Sequence, residues 1–318
     1  MRAASFLLGV SLLCAAAFAA QFDGKDAGGH YDLVVDGQVW LRTMTPTYDP
    51  NNREETYKIY THLFDFAGSA PITKGPGGKY THHRGLFIGW KDTFVNSTDF
   101  DTWHMVKEAC TQQHVKWAEL VSNASSATQV EEIAWADDSG KTFINEVRAI
   151  STSPGDNGLR IVDFQSKLTS AAGTIELKGD LQHAGMQIRI AQEVADKDDA
   201  ETKDKVPAEK KSTQYVLPAG STAEKDDKVT GAWWACCSCE VGGKRYWIIH
   251  MTHPSTCANS PVYSIRAYAR FGAFWEPTLE EGKPQQYNFR IVLSEKPLDA
   301  AACQALYDSY AKSTPTKF

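Results

Sequence analysis

Imidazole and guanidinium groups are most concentrated in one stretch of the chain, at His82, His83 and Arg84. A Gly- and Pro-rich loop, residues 73–79, precedes them, and an apolar strand is predicted over residues 85–90. An imidazole takes or gives a proton near neutral pH, and a guanidinium neutralises an anion. Polar side chains at a strand end beside a loop are a common way for a rigid sheet to present a site. The candidate catalytic residues of this stretch are Tyr80, His82, His83 and Arg84.

A second constellation follows within twenty residues, at Asp101, Trp103 and His104. A carboxylate, an indole and an imidazole together suit a sugar, because the ring can stack on its face while the polar groups hydrogen-bond its hydroxyls. His104 is a further candidate catalytic residue, as the proton donor to a leaving oxygen. Trp90 and Trp103 are predicted to stack on sugar rings.

Other polar residues recur along predicted strands. Glu146 and Arg148 share one strand face, and His183 alternates with Arg189 in the same way. Surface ion pairs and hydrogen-bonded imidazoles are the alternative interpretation of such patterns. The full set of candidate substrate-binding residues is Trp90, Trp103, Asp101, Glu146, His183, Arg189, His253 and Arg266.

These residues fall at strand ends or in adjoining loops, so we expect several of them to meet at one end of the fold. The prediction is that one cleft contains His82 or His83, Arg84, His104 and at least one of His183, His250 and His253. Three imidazoles around an open position suit zinc or a similar ion, so a divalent metal is a candidate cofactor.

The elements that must position these residues are short strands. Alternating segments separated by turn residues predict an all-β fold, a large antiparallel β-sandwich or barrel. A hairpin is predicted at Asp36-Gly37, and the longer strands at 58–65, 114–121, 128–136, 142–150, 159–169, 185–194, 244–250, 263–271 and 286–293. One short C-terminal helix is predicted over 298–312, with Leu298, Ala302, Leu306 and Tyr310 on one face. Residues 195–228 are rich in mixed charge and predict a solvated insertion in a single domain spanning 20–318.

The N-terminus and the composition restrict the compartment and the partners. Arg2, an apolar run and an Ala17-x-Ala19 cleavage site predict a signal peptide over residues 1–19, and hence a secreted or periplasmic protein. No later stretch approaches the roughly 20 apolar residues of a membrane span. The net charge of −6 offers no basic surface for nucleic acid.

Six cysteines remain in the predicted mature chain, and three of them cluster at Cys236, Cys237 and Cys239. An even number of cysteines in an oxidising compartment permits three disulfides. Buried thiols and a thiolate metal site are the alternatives, although the second Cys-x-x-Cys pair of a typical zinc site is absent from the sequence.

Residues 70–90, which end in the His82-His83-Arg84-Gly85 run and its apolar strand, resemble the signature of the PmoA-like family of exported bacterial proteins. Further matches are Asp101-Thr102-Trp103-His104, Glu146-Val147-Arg148, Gly185–Arg189, His253-Pro254 and Arg266-Ala267-Tyr268. The resemblance implies a β-sandwich in a polysaccharide-processing setting, with no established reaction.

The leading hypothesis is an exported carbohydrate-active enzyme that acts on an oligosaccharide or polysaccharide by hydrolysis, elimination or dehydration. In an elimination, His82 or His83 would be the base, Arg84 would neutralise a uronate carboxylate, and Tyr80 or His104 would protonate the leaving oxygen. A glycosidase would instead use a carboxylate pair, for which Asp101 and Glu146 are the candidates. The alternatives are a non-catalytic glycan-binding module and a His-based metal-binding protein.

Overall fold

The computed structural model of the protein describes residues 20–105, 110–203, 212–224 and 227–318. The predicted signal peptide, residues 1–19, lies outside these ranges. Within them, no helix is both long and apolar enough to cross a membrane.

The larger of two opposed sheets has ten strands, and most of the predicted site residues lie on these strands or in the loops next to them. In spatial order its strands are β1 (Phe22–Asp26), β2 (His30–Val35), β3 (Gln38–Met44), β4 (Tyr60–Leu63), β5 (Leu86–Trp90), β13 (Ala184–Arg189), β20 (Arg270–Phe274), β19 (Val262–Ile265), β16 (Lys228–Thr230) and β15 (Thr222–Ala223).

Among the described residues, an eight-stranded sheet faces it, and a four-stranded sheet and three α-helices complete the fold. The eight strands are β14 (Gln214–Val216), β17 (Trp234–Val241), β18 (Lys244–Thr252), β22 (Gln285–Ser294), β11 (Arg160–Ser170), β10 (Thr142–Pro154), β9 (Ala127–Asp137) and β8 (Cys110–Ser122). The four are β21 (Thr278–Leu279), β12 (Ile175–Lys178), β6 (Asp92–Val95) and β7 (Thr98–Phe100). The helices are α1 (Arg53–Thr56), α2 (Gln192–Lys203) and α3 (Ala300–Ala311). The three sheets are antiparallel, which confirms the predicted fold class.

The main core lies between the two large sheets, and its side chains come from alternate positions of each strand. On β5 these are Leu86, Ile88 and Trp90. Trp90 is completely buried, packs edge-on against Trp275, and donates its indole N–H to the Trp275 carbonyl. The prediction that Trp90 stacks on a sugar is therefore wrong, because the inward-facing position of a strand in a sandwich is filled by core side chains.

A second, smaller core lies on the outer face of the eight-stranded sheet, under α3. The helix was predicted within two residues of its observed ends, and Asp299 caps it by accepting a hydrogen bond from the Ala302 N–H at 2.8 Å. Its buried residues are Cys303, Tyr307 and Tyr310. Leu298 and Leu306 are partly buried, so the buried face is rotated from the predicted one.

Three local predictions can be compared with the strands that form. Asp36 and Gly37 both have positive φ and join β2 to β3 in the predicted two-residue hairpin. The strand predicted over 263–271 is two strands, β19 and β20, joined by a turn at 266–269. The strand predicted over 185–194 ends at Arg189, and its last residues begin α2.

The charged segment 195–228 is more than a solvated insertion. Residues 204–211 and 225–226 lie outside the described ranges, but the remainder contributes most of α2, two short strands, β14 and β15, and the first residue of β16. β14 pairs with β17 in one sheet, and β15 pairs with β16 at the edge of the other.

No disulfide bond joins the cysteines of the described residues. Cys236, Cys237 and Cys239 lie on β17, where both faces of the strand are covered, so the cluster reflects core packing. Burial raises the pKa of the Cys237 thiol well above its ordinary value, which keeps it protonated and unreactive.

Glu146 is buried in an ion pair between the sheets. Its two carboxylate oxygens accept from the Nε and Nη2 atoms of Arg148 at 2.8 Å each, from Ser166 at 2.7 Å and from the Trp135 indole at 2.8 Å. Both charged side chains are fully inaccessible. The predicted role of Glu146 in substrate binding or as a glycosidase carboxylate is wrong, because its oxygens are all committed to the protein interior.

This network predicts a large stability loss when one partner is removed. Arg148→Met leaves an uncompensated carboxylate and is expected to lower the free energy of unfolding by about 3–5 kcal/mol. Lys116→Met, which removes the exposed Lys116–Glu132 pair, is the control and is expected to cost less than about 1 kcal/mol. Urea denaturation measures both, and equal small losses would show that Glu146 is not held by Arg148.

Candidate functional site

The site lies on the outer face of the ten-stranded sheet, around β5, β13 and β20. On β13, Met186 and Ile188 point into the main core, so Gln187 and Arg189 point outward. By the same alternation Phe87 on β5 and Arg270 on β20 lie on the outer face. Phe87, Trp103 and Tyr60 form a small apolar cluster there, separate from the main core.

The turn at residues 101–105 packs directly on this face. Asp101 organises it by accepting the backbone N–H groups of Trp103 at 3.0 Å and His104 at 2.7 Å. The turn approaches β5 at Gly89, where a side chain would collide with the Thr102 carbonyl. Buried Lys58 donates to the Trp103 carbonyl from below. Trp103 is fully buried and supports the site, so its predicted role as an exposed sugar-stacking platform is wrong.

Four imidazole rings form a continuous row over the apolar cluster. The ring centroids are 4.2 Å apart for His83 and His82, 4.4 Å for His82 and His104, and 4.9 Å for His104 and His183. The structure thus brings His82, His83, His104 and His183 together, but without Arg84, which the prediction placed in the same cleft. Although His82 and His83 are consecutive, both join the row because residues 80–83 form a turn in which the His83 N–H donates to the Tyr80 carbonyl at 3.0 Å.

Two rings of the row are oriented by carboxylates in the same way. His104 Nδ1 lies 2.6 Å from Asp101 Oδ2, and His183 Nδ1 lies 2.7 Å from Asp180 Oδ1. An ionised carboxylate only accepts hydrogen bonds, so Nδ1 carries the proton in each pair and the Nε2 lone pair of the neutral ring stays available. Both rings are partly exposed to solvent.

Electrostatics keep most of the row neutral. Burial, together with the neighbouring His104 and Lys58, lowers the pKa of His82 to about 2. Burial lowers the pKa of His83 well below its usual value. Burial also lowers the pKa of His183, although the hydrogen bond to Asp180 acts in the opposite direction. Burial and the nearby Arg84 lower the pKa of Lys58 to about 7. The interior beneath the row therefore disfavours additional positive charge.

A cavity of about 550 Å³ opens beside the last ring of the row. His183 and Arg266 are the predicted site residues that line it. Its other lining residues are Asp180, Leu181, Gln182, Glu224 and Lys228. Arg266 is held by Asp227 at 2.7 Å. A mostly polar lining beside oriented imidazoles suits a hydroxyl-rich molecule.

Several predicted site residues have other positions. Arg84 is buried and donates to the backbone carbonyls of Gly75 and Glu54, so it holds the loop and α1 rather than a substrate anion. His250 lies in the core against Met186. His253 lies under α3, where its Nε2 contacts the Ser313 carbonyl at 3.1 Å. Arg84, His250 and His253 therefore do not join the row, and the predicted roles of Arg84 and His253 are wrong.

Tyr80 lies at the edge of the row and is 40% exposed. Its ring is 4.9 Å from that of Tyr268 and 5.5 Å from that of His83. Tyr268 also covers Arg189, whose guanidinium carbon is 4.8 Å from the ring centre. Tyr80 and Arg189 thus lie beside the imidazole row, as their candidate roles require.

Within the described ranges, no three His, Cys, Asp or Glu side chains are arranged to hold a metal ion. Two of the three neighbouring ring pairs meet edge to face and the third is tilted, and two of the Nδ1 atoms face carboxylates. The described residues thus contain no ligand set for the divalent metal considered from the sequence.

Sequence reasoning missed Asp180, Gln182, Tyr268 and Arg270. The signal for Asp180 was present, because Asp101-Thr102-Trp103-His104 and Asp180-Leu181-Gln182-His183 both have the spacing Asp-x-x-His. Tyr268 and Arg270 were assigned to one continuous strand, which hid the turn that places them at the site.

Comparison with known proteins gives a family but no established activity. A family model, the family of unknown function DUF6807, matches residues 30–308. The chain belongs to this family. No curated protein matches the chain.

Two solved structures are similar to the chain at low identity. One is a GalM/aldose epimerase homologue from C. elegans, 11% identical, with a TM-score of 0.32 over 87% of this chain and 98% of that one. The other is assigned as a kojibiose phosphorylase from the human microbiome, 11% identical, with a TM-score of 0.29 over 86% of this chain. The matched region is 32% of that longer chain.

The depressed pKa of His82 predicts an acid-sensitive fold. The folded-state pKa of about 2 lies below the unfolded value of 6.5, so the unfolded chain binds the proton first as the pH falls. Above pH 6.5, His82 does not change the free energy of unfolding. Below pH 6.5, His82 lowers the free energy of unfolding by about 1.4 kcal/mol for each pH unit.

Urea denaturation between pH 7 and 4.5 tests this, with His82→Gln as the comparison. The wild-type free energy of unfolding is expected to fall more steeply with acid than that of the variant. Parallel pH profiles would mean that His82 is protonated as easily in the fold as in the unfolded chain.

Proposed function

We propose that the protein is a carbohydrate-active enzyme that transfers protons on an oligosaccharide, by elimination or dehydration, with His104 and His183 as the acid–base pair. The observation that carries this proposal is the pair of carboxylate-oriented imidazoles, whose ring centroids are 4.9 Å apart and of which His183 lines the cavity. Orientation of Nδ1 by a carboxylate is the arrangement that general acid–base histidines need.

The two histidines have different roles in this proposal. His183 is neutral near pH 7, because burial lowers its pKa, and its Nε2 accepts a proton from substrate carbon. The electron pair of that C–H bond forms a double bond, and the neighbouring C–O bond breaks. His104, which Asp101 orients, gives a proton from its imidazolium form to the leaving oxygen. Before the next turnover His183 releases its proton to solvent and His104 takes one up from solvent.

A two-carboxylate glycosidase is disfavoured by the positions of its candidates. Glu146 is buried between the sheets, and Asp101 is engaged by His104 and by two backbone N–H groups. A non-catalytic glycan-binding module would present aromatic faces to solvent, whereas Trp90 and Trp103 are fully buried.

The proposals that the substrate is a carbohydrate and that the protein is exported are based on the sequence. The PmoA-like resemblance of residues 70–90 implies a polysaccharide-processing setting, and the N-terminal 19 residues have the pattern of a signal peptide. The polar lining of the cavity, which includes Gln182, Glu224 and Lys228, is consistent with recognition of hydroxyl groups.

Substitution of either histidine by Asn tests the proposal. Asn retains a donor near the Nδ1 position and removes the Nε2 atom, so turnover of oligosaccharides should fall by roughly 100-fold or more. His114→Asn is the matched control, because His114 Nδ1 also faces a carboxylate, Glu131, at 2.7 Å, on another sheet. Activity is screened on neutral and acidic oligosaccharides. Full turnover in both His104→Asn and His183→Asn would rule out the assigned roles.

Asp101→Asn separates orientation from binding. An amide can donate to Nδ1 and thereby favour the wrong imidazole tautomer, so kcat is expected to fall roughly 100-fold while KM changes little. Steady-state kinetics on the substrate found in the screen measures the two constants. A change confined to KM would show that Asp101 contacts the substrate instead of orienting His104.

A further inference from the structure

Two buried guanidinium groups lie beneath the imidazole row without a carboxylate partner. Arg189 and Arg270 are both fully buried on the outer face of β13 and β20. Their polar contacts are neutral: Arg189 Nη1 donates to the Tyr268 carbonyl, and Arg270 donates to Gln187 at 3.1 Å and Gln182 at 2.6 Å. No carboxylate of the described residues forms an ion pair with either. A buried charge of this kind is costly unless an anion compensates it.

The free edge of Arg189 is the edge that this protein uses to hold carboxylates. Arg42, Arg148 and Arg290 each bind an Asp or Glu through Nε and Nη2 together, at distances between 2.6 and 2.8 Å. In Arg189 these same two atoms are buried and have no hydrogen-bond partner among the described residues. This planar fork matches the two oxygens of a carboxylate.

Further donors converge on the same place. Both ring nitrogens of His83 are buried and unpartnered among the described residues, as is Arg270 Nε. The His83 ring lies nearly parallel to that of Tyr268, at 6.2 Å and 17°, and Tyr268 covers the Arg189 guanidinium. Arg189 and Arg270 are also close enough to His83 to lower its pKa, after the larger effect of burial. The positive potential therefore comes from Arg189 and Arg270, and His83 adds a neutral ring that can donate one hydrogen bond.

We propose that the Nε/Nη2 edge of Arg189 binds a substrate carboxylate, so that the substrate is a uronate-containing oligosaccharide. This inference rests on the proposed function and names its substrate class. Because Arg189 is fully buried, binding of the carboxylate requires Tyr80, the exposed ring of the Tyr80–Tyr268 pair, to move aside. His83 lies against Tyr268 and begins the imidazole row that ends at His183, so the row connects the carboxylate subsite to the acid–base pair.

The first test uses the wild-type protein and calorimetric titration with D-glucuronate. Its neutral isostere D-glucuronamide has nearly the same shape without the charge, and inorganic phosphate is the competing anion. The proposal expects glucuronate to bind at least about tenfold more tightly than glucuronamide. Equal affinity for the two sugars, or binding of phosphate in preference to glucuronate, would overturn it.

Variants then locate the site. Arg189→Lys keeps a positive charge but loses the fork, and Arg189→Gln loses both, so glucuronate affinity should fall at least about tenfold in each. Arg42→Gln is the matched control, because it removes a carboxylate-binding fork on β3. Unchanged glucuronate affinity in both folded Arg189 variants would overturn the assignment.

The binding experiment is independent of turnover. His104→Asn should bind glucuronate as the wild type does, because the carboxylate subsite does not include His104. Selective glucuronate binding without turnover of uronate oligosaccharides would leave the carboxylate subsite standing and refute the proposed reaction. Turnover of neutral oligosaccharides without selective glucuronate binding would support the proposed reaction and refute the carboxylate subsite.

Discussion

The hydrogen bond from an imidazole Nδ1 to an aspartate three residues earlier is the interaction on which the site depends. It is made twice, by Asp101 with His104 and by Asp180 with His183. Each pair belongs to a tight turn in which the same aspartate also accepts backbone N–H groups. The backbone therefore fixes the carboxylate, and the carboxylate fixes the ring. Two such turns, one before β8 and one before β13, bring the rings within 4.9 Å.

The sheet beneath these turns is specialised for polar groups at a cost in stability. Outward positions on β13 and β20 would be solvated in an ordinary sandwich, but here they are covered, and Gln187, Arg189 and Arg270 are completely buried. Aromatic rings rather than carboxylates compensate these guanidinium groups: Tyr268 covers Arg189, and the Trp103 ring lies 5.9 Å from the Arg270 guanidinium carbon. Such compensation is weaker than an ion pair, so the folded state retains an attraction for anions.

Most of the architecture could be predicted from the sequence, because strand periodicity and turn residues are local signals. The Asp36-Gly37 hairpin, the C-terminal helix and the β-sandwich were predicted and are confirmed. The turn at residues 266–269 was missed, because Arg266-Ala267-Tyr268-Ala269 contains none of the usual turn residues, and Ala269 itself adopts positive φ. Pairing of β19 with β20 stabilises this conformation. Such a tertiary interaction cannot be recognised from the residue types of the turn itself.

The site was predicted in part, for a related reason. His82, His83 and His104 stand out by residue type, and the sequence suggested that they meet. The roles of Arg84, Trp90 and Glu146 could not be predicted, because residue type does not reveal whether a polar or aromatic side chain faces the core or a cleft. In the structure Arg84 holds the loop, Trp90 packs in the core and Glu146 pairs with Arg148, while Arg189 and Arg270 are the buried guanidinium groups beside the imidazole row.

The most direct test of the central claim is nitrogen-15 NMR of the histidine rings in the wild-type protein at neutral pH, with and without D-glucuronate. The account predicts that Nδ1 is protonated in both His104 and His183, that Nε2 of His183 is not, and that the resonances of His83 shift when glucuronate binds, whereas those of His114 and His253 do not. A proton on Nε2 of His183 in place of Nδ1, or His83 resonances that do not respond to glucuronate while it binds, would contradict it.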